Sequence, residues 1–143
     1  MQKKLLVSAC LAGIPCRMDG QSKGVEAIRH LVLEGQAVPV CPEVLGGLPT
    51  PRIPSEQKDG RVVNAAGEDV TDAFVRGAEK ALEICRQNGC EAAVLKSKSP
   101  SCGKGLIHNG RFDGGLTEGD GICAKMLMEN GITVLTEDEF LGL

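Results

Sequence analysis

The 143-residue chain carries 16 Lys and Arg against 19 Asp and Glu, a net charge of −3 and a pI near 5.4, which excludes a broad basic face for polymeric nucleic acid. No apolar run approaches the ~20 residues of a membrane span, and the run after Met1-Gln2-Lys3-Lys4 is too short for a secretory signal, so a cytoplasmic protein is expected. The length fits a single domain, 1–143, whose core must be aliphatic, because the chain has three Phe and no Trp or Tyr.

Lys4–Ala9 reads as a first strand, apolar enough to be buried on both faces. Cys10 to Gly20 follows as a loop. Val25, Ile28, Leu31 and Val32 recur at helical spacing up to Glu34, with Gly35 as C-cap. Ala37–Val40 is a second strand, ended by Cys41-Pro42-Glu43. The stretch with Gly46, Gly47, Pro49, Pro51 and Pro54 is longer than an ordinary connection and reads as a functional loop. Arg61–Asn64, with a turn near Gly67, suggests a small hairpin.

Thr71 is placed to cap a helix reaching Asn88, with Phe74, Ala78, Ala81, Leu82 and Cys85 on one face. Gly89 ends it, and Ala92–Leu95 is a third strand leading through Ser99-Pro100-Ser101 to Cys102. Leu106–Phe112 suggests a hairpin turning at Asn109-Gly110. A last helix opens at Thr117 or Asp120 and runs through Ile122, Met126 and Leu127. Gly131 precedes a fourth strand, Ile132–Leu135, and the tail ends in a short helical turn. Helix, glycine, strand recurs three times, as parallel βαβ units require. The expected fold is a three-layer, Rossmann-like α/β domain with a four-stranded, mainly parallel sheet.

Three strands then end near a thiol: Cys10, Cys41 and Cys102. If they are parallel neighbours, the thiols converge at the carboxyl edge of the sheet, where open α/β sheets bind ligands. Seven cysteines without a CxxC pair in a cytosolic chain point to metal or catalysis rather than disulfides. Three thiolates suit an iron–sulfur cluster with one open iron, or a zinc with one open position, and Cys16 could supply a fourth ligand. Cys85 continues an apolar helical face and reads as core; Cys90 and Cys123 fall at a strand start and on a helix. His30 and His108 lack ligand-like spacing and read as structural.

Glu43, two residues past Cys41, should face the same pocket and becomes a candidate general acid/base beside a metal centre. Ser99 and Ser101 could donate hydrogen bonds to a substrate or a developing anion, although serines in a Pro/Gly turn commonly serve the turn itself. Arg17, Arg52, Lys96, Lys98 and Lys104 lie on the same loops and could bind an anion. Gly103-Lys104-Gly105 is no phosphate loop, because position 98 is Lys rather than Gly and no Ser or Thr follows Lys104. Cys10 and Arg17 enclose six residues, one more than the nucleophile loop of the low-molecular-weight tyrosine phosphatases.

With these loops in hand, the chain resembles the thiouracil desulfidase family, the TudS proteins, over essentially its full length and in the short single-domain form. The resemblance rests on Ser8-Ala9-Cys10-Leu11 with Cys16-Arg17-Met18-Asp19-Gly20; on Cys41-Pro42-Glu43, Gly46-Gly47-Leu48, Pro51-Arg52 and Pro54-Ser55-Glu56; and on Ser99-Pro100-Ser101-Cys102-Gly103. One departure is Met18, where the family usually has Tyr. The resemblance implies a [4Fe–4S] cluster held by Cys10, Cys41 and Cys102, with a free iron for the sulfur of a thiolated pyrimidine. It implies Glu43 as acid/base and Ser99 as the residue that positions or polarises the substrate. Ser101, Arg17, Arg52 and Lys104 are the candidate substrate contacts. The expected partner is a small thiopyrimidine, either a free base such as 2-thiouracil or a nucleotide such as 4-thio-UMP. Two other classes stay open: a cluster or sulfur carrier without turnover, and a structural zinc protein using Cys16.

Overall fold

The computed structural model describes residues 4–16 and 24–142. In chain order it contains β1 (Leu5–Ser8), a 3-10 turn (Ala9–Ala12), α1 (Glu26–Leu33), β2 (Ala37–Val40), α2 (Pro42–Leu45), β3 (Ser55–Lys58) and β4 (Arg61–Asn64). Then follow α3 (Thr71–Gln87), β5 (Ala92–Leu95), β6 (Leu106–His108), β7 (Leu116–Glu118), α4 (Ile122–Glu129), β8 (Thr133–Thr136) and α5 (Glu137–Leu141).

The main sheet is four-stranded, in the order β2-β1-β5-β8, and every neighbouring pair is parallel. Its centre is β1, with Leu6 opposite Val38 on one side and Ala93 on the other. Pro39, which cannot donate to a ladder, is tolerated because β2 is an edge strand. Side chains alternate across the sheet. Leu6, Ala93, Leu95 and Val134 pack with Ala78, Ala81, Leu82 and Cys85 of α3 and with Ala124 and Leu127 of α4. Val7 and Val94 point the other way, onto Ile28 and Leu31 of α1 and Phe140 of α5. This is the expected three-layer α/β arrangement, with Cys85 in the core.

Two glycines bring α2 against α3. A Cβ on Gly77 would overlap the carbonyl oxygen of Pro42, and one on Gly46 would overlap that of Ala73. A glycine inside a 17-residue helix is costly by propensity, so Gly77 is explained by this close approach. Because the obstruction is backbone, Gly77→Ala is expected to destabilise the fold by about 1–3 kcal/mol, outweighing a propensity gain of up to ~1 kcal/mol. Urea unfolding of the variant checks this; a more stable variant would show that the helices can part freely.

Several expectations need correcting in detail. Arg61–Asn64 does turn near Gly67, where Val63 bridges antiparallel to Asp69, but its ladder partner is Ser55–Lys58, joined through Asp59-Gly60, whose φ values are +52° and +79°. A two-residue turn with both φ positive matches the twist of the strands, and Asp-Gly suits it. The second hairpin does not turn at Asn109-Gly110: β6 pairs with β7 across the loop 109–115. Thr71 does not cap α3; its hydroxyl accepts the Val62 N–H at 2.8 Å and ties the helix to β4. The last long helix starts at Ile122, and Thr117 lies in β7. The helical turn at the tail is present as expected, with a capping box between Thr136 and Glu139.

Candidate active site

β1, β2 and β5 are adjacent and parallel, so their carboxyl ends form one edge. The chain leaves β1 toward β2 and later returns to the other side of β1, which makes the β1/β5 boundary the switch point where a crevice opens. Ser8 Oγ accepts the Lys96 N–H at 2.9 Å, joining the ends of these two strands. The cavity at this edge has a volume of about 570 Å³ and is lined by Cys10, Cys16, Cys41, Cys102, Glu43, Arg52, Ser99 and Ser101, among others.

Each thiol is placed by a different local device. Cys10 lies in the 3-10 turn that continues β1, closed by Gly13 at φ +91°. Cys41 is the last extended residue before α2, and Pro42 at the first helical position carries the chain into that helix. Cys102 sits in a turn that closes the start of α4. The N–H groups of Ile122, Cys123 and Ala124, unsatisfied within the helix, donate to the carbonyls of Pro100 and Ser101 at 2.8–3.1 Å. Gly121 is required there, since a Cβ would overlap the Ser101 backbone. Gln57 Nε2 donates to the same Pro100 carbonyl and to that of Asp120.

Burial pushes the Cys102 thiol up to about 12, against the partial relief of hydrogen bonds from Ser8 and Ser101. The Cys16 thiol beside it, together with burial, raises Cys41 far above the ordinary thiol value. Cys16 is itself raised, first by the neighbouring Cys10 thiol. Soft thiol donors gathered at one cavity suit a metal centre, which would hold them as thiolates. Among the described residues, no three Cys, His, Asp or Glu side chains converge as they would on one ion. Thiols on three loops around one cavity fit a wider, thiolate-held iron–sulfur cluster.

The Glu43 carboxylate is fixed at both oxygens. Arg52 Nε donates to Oε1 at 3.0 Å and Ser101 Oγ donates to Oε2 at 3.1 Å. Ser99 Oγ lies 3.0 Å from Ser101 Oγ and accepts the N–H groups of Ser101 and Cys102 at 3.1 and 3.0 Å. With the Ser101 hydroxyl given to Glu43, the Ser99 hydroxyl is left to donate to Ser101. A directed chain Ser99–Ser101–Glu43 results.

Of the residues singled out from the sequence, Cys10, Cys41, Cys102, Cys16, Glu43, Ser99, Ser101 and Arg52 all reach this cavity. The Arg52 guanidinium is engaged by protein: besides Glu43 it donates to the carbonyls of Cys16 and Pro49 and to Thr50 Oγ1. Lys104 is not brought in; it pairs with Glu139 of α5 at 3.0 Å. Arg17 lies outside the described residues. Lys96 and Lys98 line the cavity, and Lys96 also pairs with Glu137 at 3.3 Å. Sequence reasoning passed over Ser8, Glu56 and Phe112 as site residues and read His108 as structural, yet all four line the cavity. For Glu56 the Pro54-Ser55-Glu56 motif held a signal; for Phe112 none was present before the β6–β7 loop was placed.

Three comparisons bear on this geometry. The chain matches the 2-thiouracil desulfurase family over residues 5–139. It is 43% identical over 145 residues to YbbK, an uncharacterized protein of Bacillus subtilis (strain 168), covering 94% of this chain and 96% of that protein. A solved structure of the [4Fe-4S]-dependent thiouracil desulfidase TudS superposes with a TM-score of 0.93 at 50% identity, covering 99% of this chain and 95% of that one. The chain belongs to the 2-thiouracil desulfurase family.

Proposed function

We propose that this protein is an iron–sulfur-dependent, non-redox desulfidase for a thiolated pyrimidine, either 2-thiouracil or 4-thio-UMP. Water replaces the sulfur: the thiocarbonyl carbon takes the oxygen of one water molecule and becomes a carbonyl. The sulfur leaves with both protons of that water as hydrogen sulfide, with no change in oxidation state. The observation that carries the reading is the Glu43 carboxylate, held by Arg52 and Ser101 in the cavity that Cys10, Cys41 and Cys102 also line. Support comes from the family match and from the [4Fe-4S]-dependent desulfidase at 50% identity.

Cys10, Cys41 and Cys102 would hold the [4Fe–4S] cluster. When bound, it supplies a Lewis-acidic iron with an open position for a soft sulfur. The remaining work falls to the protein. Glu43 takes a proton from the attacking water and returns it to the departing sulfur or the ring. Ser101 keeps one carboxylate oxygen aligned, and Ser99 orients Ser101 while bracing the backbone of Cys102. Lys98 at the cavity rim would favour a phosphorylated substrate.

Sulfide release from 2-thiouracil and from 4-thio-UMP, measured side by side on anaerobically reconstituted protein, tests the reading. Turnover of either supports it, and the preferred one separates base from nucleotide. A loaded cluster with no turnover of either would favour a carrier. Cys16→Ser is expected to leave fold, iron content and turnover intact. Unfolding of that variant would instead favour structural zinc, which supplies folding free energy outright.

A further inference from the structure

Among the described residues, three that are not glycine have positive φ: Asp59, Lys98 and Phe112. Asp59 occupies a hairpin turn that calls for this conformation. Lys98 and Phe112, at +67° and +58°, both line the cavity. A bulky residue seldom adopts this backbone state, and such strain persists where the surroundings over-determine it, often at a ligand site.

The surroundings do so here. Glu56 of β3, 8% exposed, accepts the N–H groups of Gly110 and Phe112 at 2.9 and 3.2 Å. Asn109 Oδ1 takes the intervening Arg111 N–H at 2.9 Å, so three successive amides are turned onto side-chain oxygens. Asp113 Oδ1 holds the Gly115 N–H at 2.8 Å and closes the loop. A buried carboxylate is thus committed to the backbone of a surface loop, and what it fixes is Phe112. The ring is not core: it is 37% exposed. Phe74 is fully buried and Phe140 packs on the far side of the sheet. Since the chain has three Phe and no Trp or Tyr, Phe112 is the one benzyl ring on the cavity.

The same hairpin brings a polar atom. His108 Nδ1 is buried without a hydrogen-bond partner, and His108 also lines the cavity. A partly exposed apolar ring on a cavity also lined by Ser, Lys and Glu side chains suits a flat heterocycle with hydrogen-bonding edges. We infer that Phe112 is the stacking face for the substrate's pyrimidine ring and that Glu56 is the positioning residue that holds it there. The inference rests on the desulfidase reading for the identity of the ring.

The test compares wild type with Phe112→Gly, Phe112→Tyr and Glu56→Ala. KM and kcat are measured with 2-thiouracil on reconstituted enzyme, and uracil affinity is measured by calorimetry. Phe112→Gly is expected to raise KM and weaken uracil binding by about 5- to 150-fold, the range for loss of one base–aromatic stack, with kcat little changed. Its melting temperature is expected to hold or rise, because glycine relieves the positive φ, a result that a purely structural ring would not give. Phe112→Tyr restores wild-type values, and Glu56→Ala, which removes the oxygen that accepts both loop amides, shifts KM in the same direction as Phe112→Gly. Wild-type KM and uracil affinity in Phe112→Gly would overturn the stacking role, while sulfide release by wild type would leave the desulfidase reading intact. Uracil binding that depends on Phe112 without any sulfide release would do the reverse. Neither turnover nor uracil binding in wild type would overturn both.

Discussion

Glu43→Gln is expected to lower kcat for sulfide release by about 10²- to 10⁴-fold, the usual contribution of a positioned general acid/base, while iron content stays at the wild-type level. Glutamine keeps the length of the side chain and a carbonyl oxygen for one of the two donors, Arg52 and Ser101. What it lacks is a carboxylate that can take and return a proton. KM is expected to change little, because the lost interaction is made in the transition state. The measurement is steady-state kinetics alongside iron quantitation on the same preparation. Full activity with a loaded cluster would remove Glu43 from the mechanism. Loss of iron along with activity would make it a structural support of the cluster.

Arg52→Leu carries the largest expected effect on stability. The Arg52 and Glu43 side chains are 6% and 14% exposed, and their ion pair spans 3.0 Å. Removing the cation from a buried pair strands the carboxylate, at a cost of about 3–5 kcal/mol. The same guanidinium also ties Cys16 and the 49–52 loop to α2, so its loss loosens the cavity wall as well. The double variant Arg52→Leu with Glu43→Gln should recover part of the loss, because no charge is then left unpaired. Denaturant unfolding of the two single variants and the double variant closes the cycle. Equal destabilisation in Arg52→Leu and in the double variant would mean that the loop contacts, not the ion pair, carry the effect.

The parts of this fold that were legible in the sequence are those that local patterns decide. Continuous apolar runs of strand length, each preceded by a glycine that ends a helix, placed β2, β5 and β8 to within a residue or so. The abrupt ends at Cys10, Cys41 and Cys102 pointed to the carboxyl edge before any pairing was known. The ladders of the two small hairpins were missed for opposite reasons, although the turn near Gly67 is present. Asp59-Gly60 is a strong turn signal that lay inside a stretch read as irregular, because the nearby prolines hid Ser55–Lys58 as a strand. Asn109-Gly110 has the same appearance, but there Asn109 bonds the Arg111 N–H inside a longer loop, and the strands pair beyond it.

The arrangement within the site was less legible, since it depends on which loops meet. Arg52 and Lys104 look alike as basic loop residues. One lies buried against Glu43, and the other turns to Glu139 of α5. Ser99 and Ser101 form an ordered pair only because Glu43 arrives from α2, 58 residues from Ser101 in sequence. Gly77 carried no signal at all until Pro42 was seen against it. Each of these facts is a product of tertiary packing.

The central claim is that Cys10, Cys41 and Cys102 together hold a catalytic iron–sulfur cluster, and the most direct measurement is anaerobic reconstitution with iron and sulfide. Iron is counted for wild type and for Cys10→Ala, Cys41→Ala and Cys102→Ala, and sulfide release is assayed on the same samples. The account predicts about four irons per wild-type chain and loss of turnover in each variant, as a cluster with three thiolate ligands requires. Wild type that binds no iron under strict anaerobiosis, or turnover that survives removal of any one of the three thiols, would contradict it.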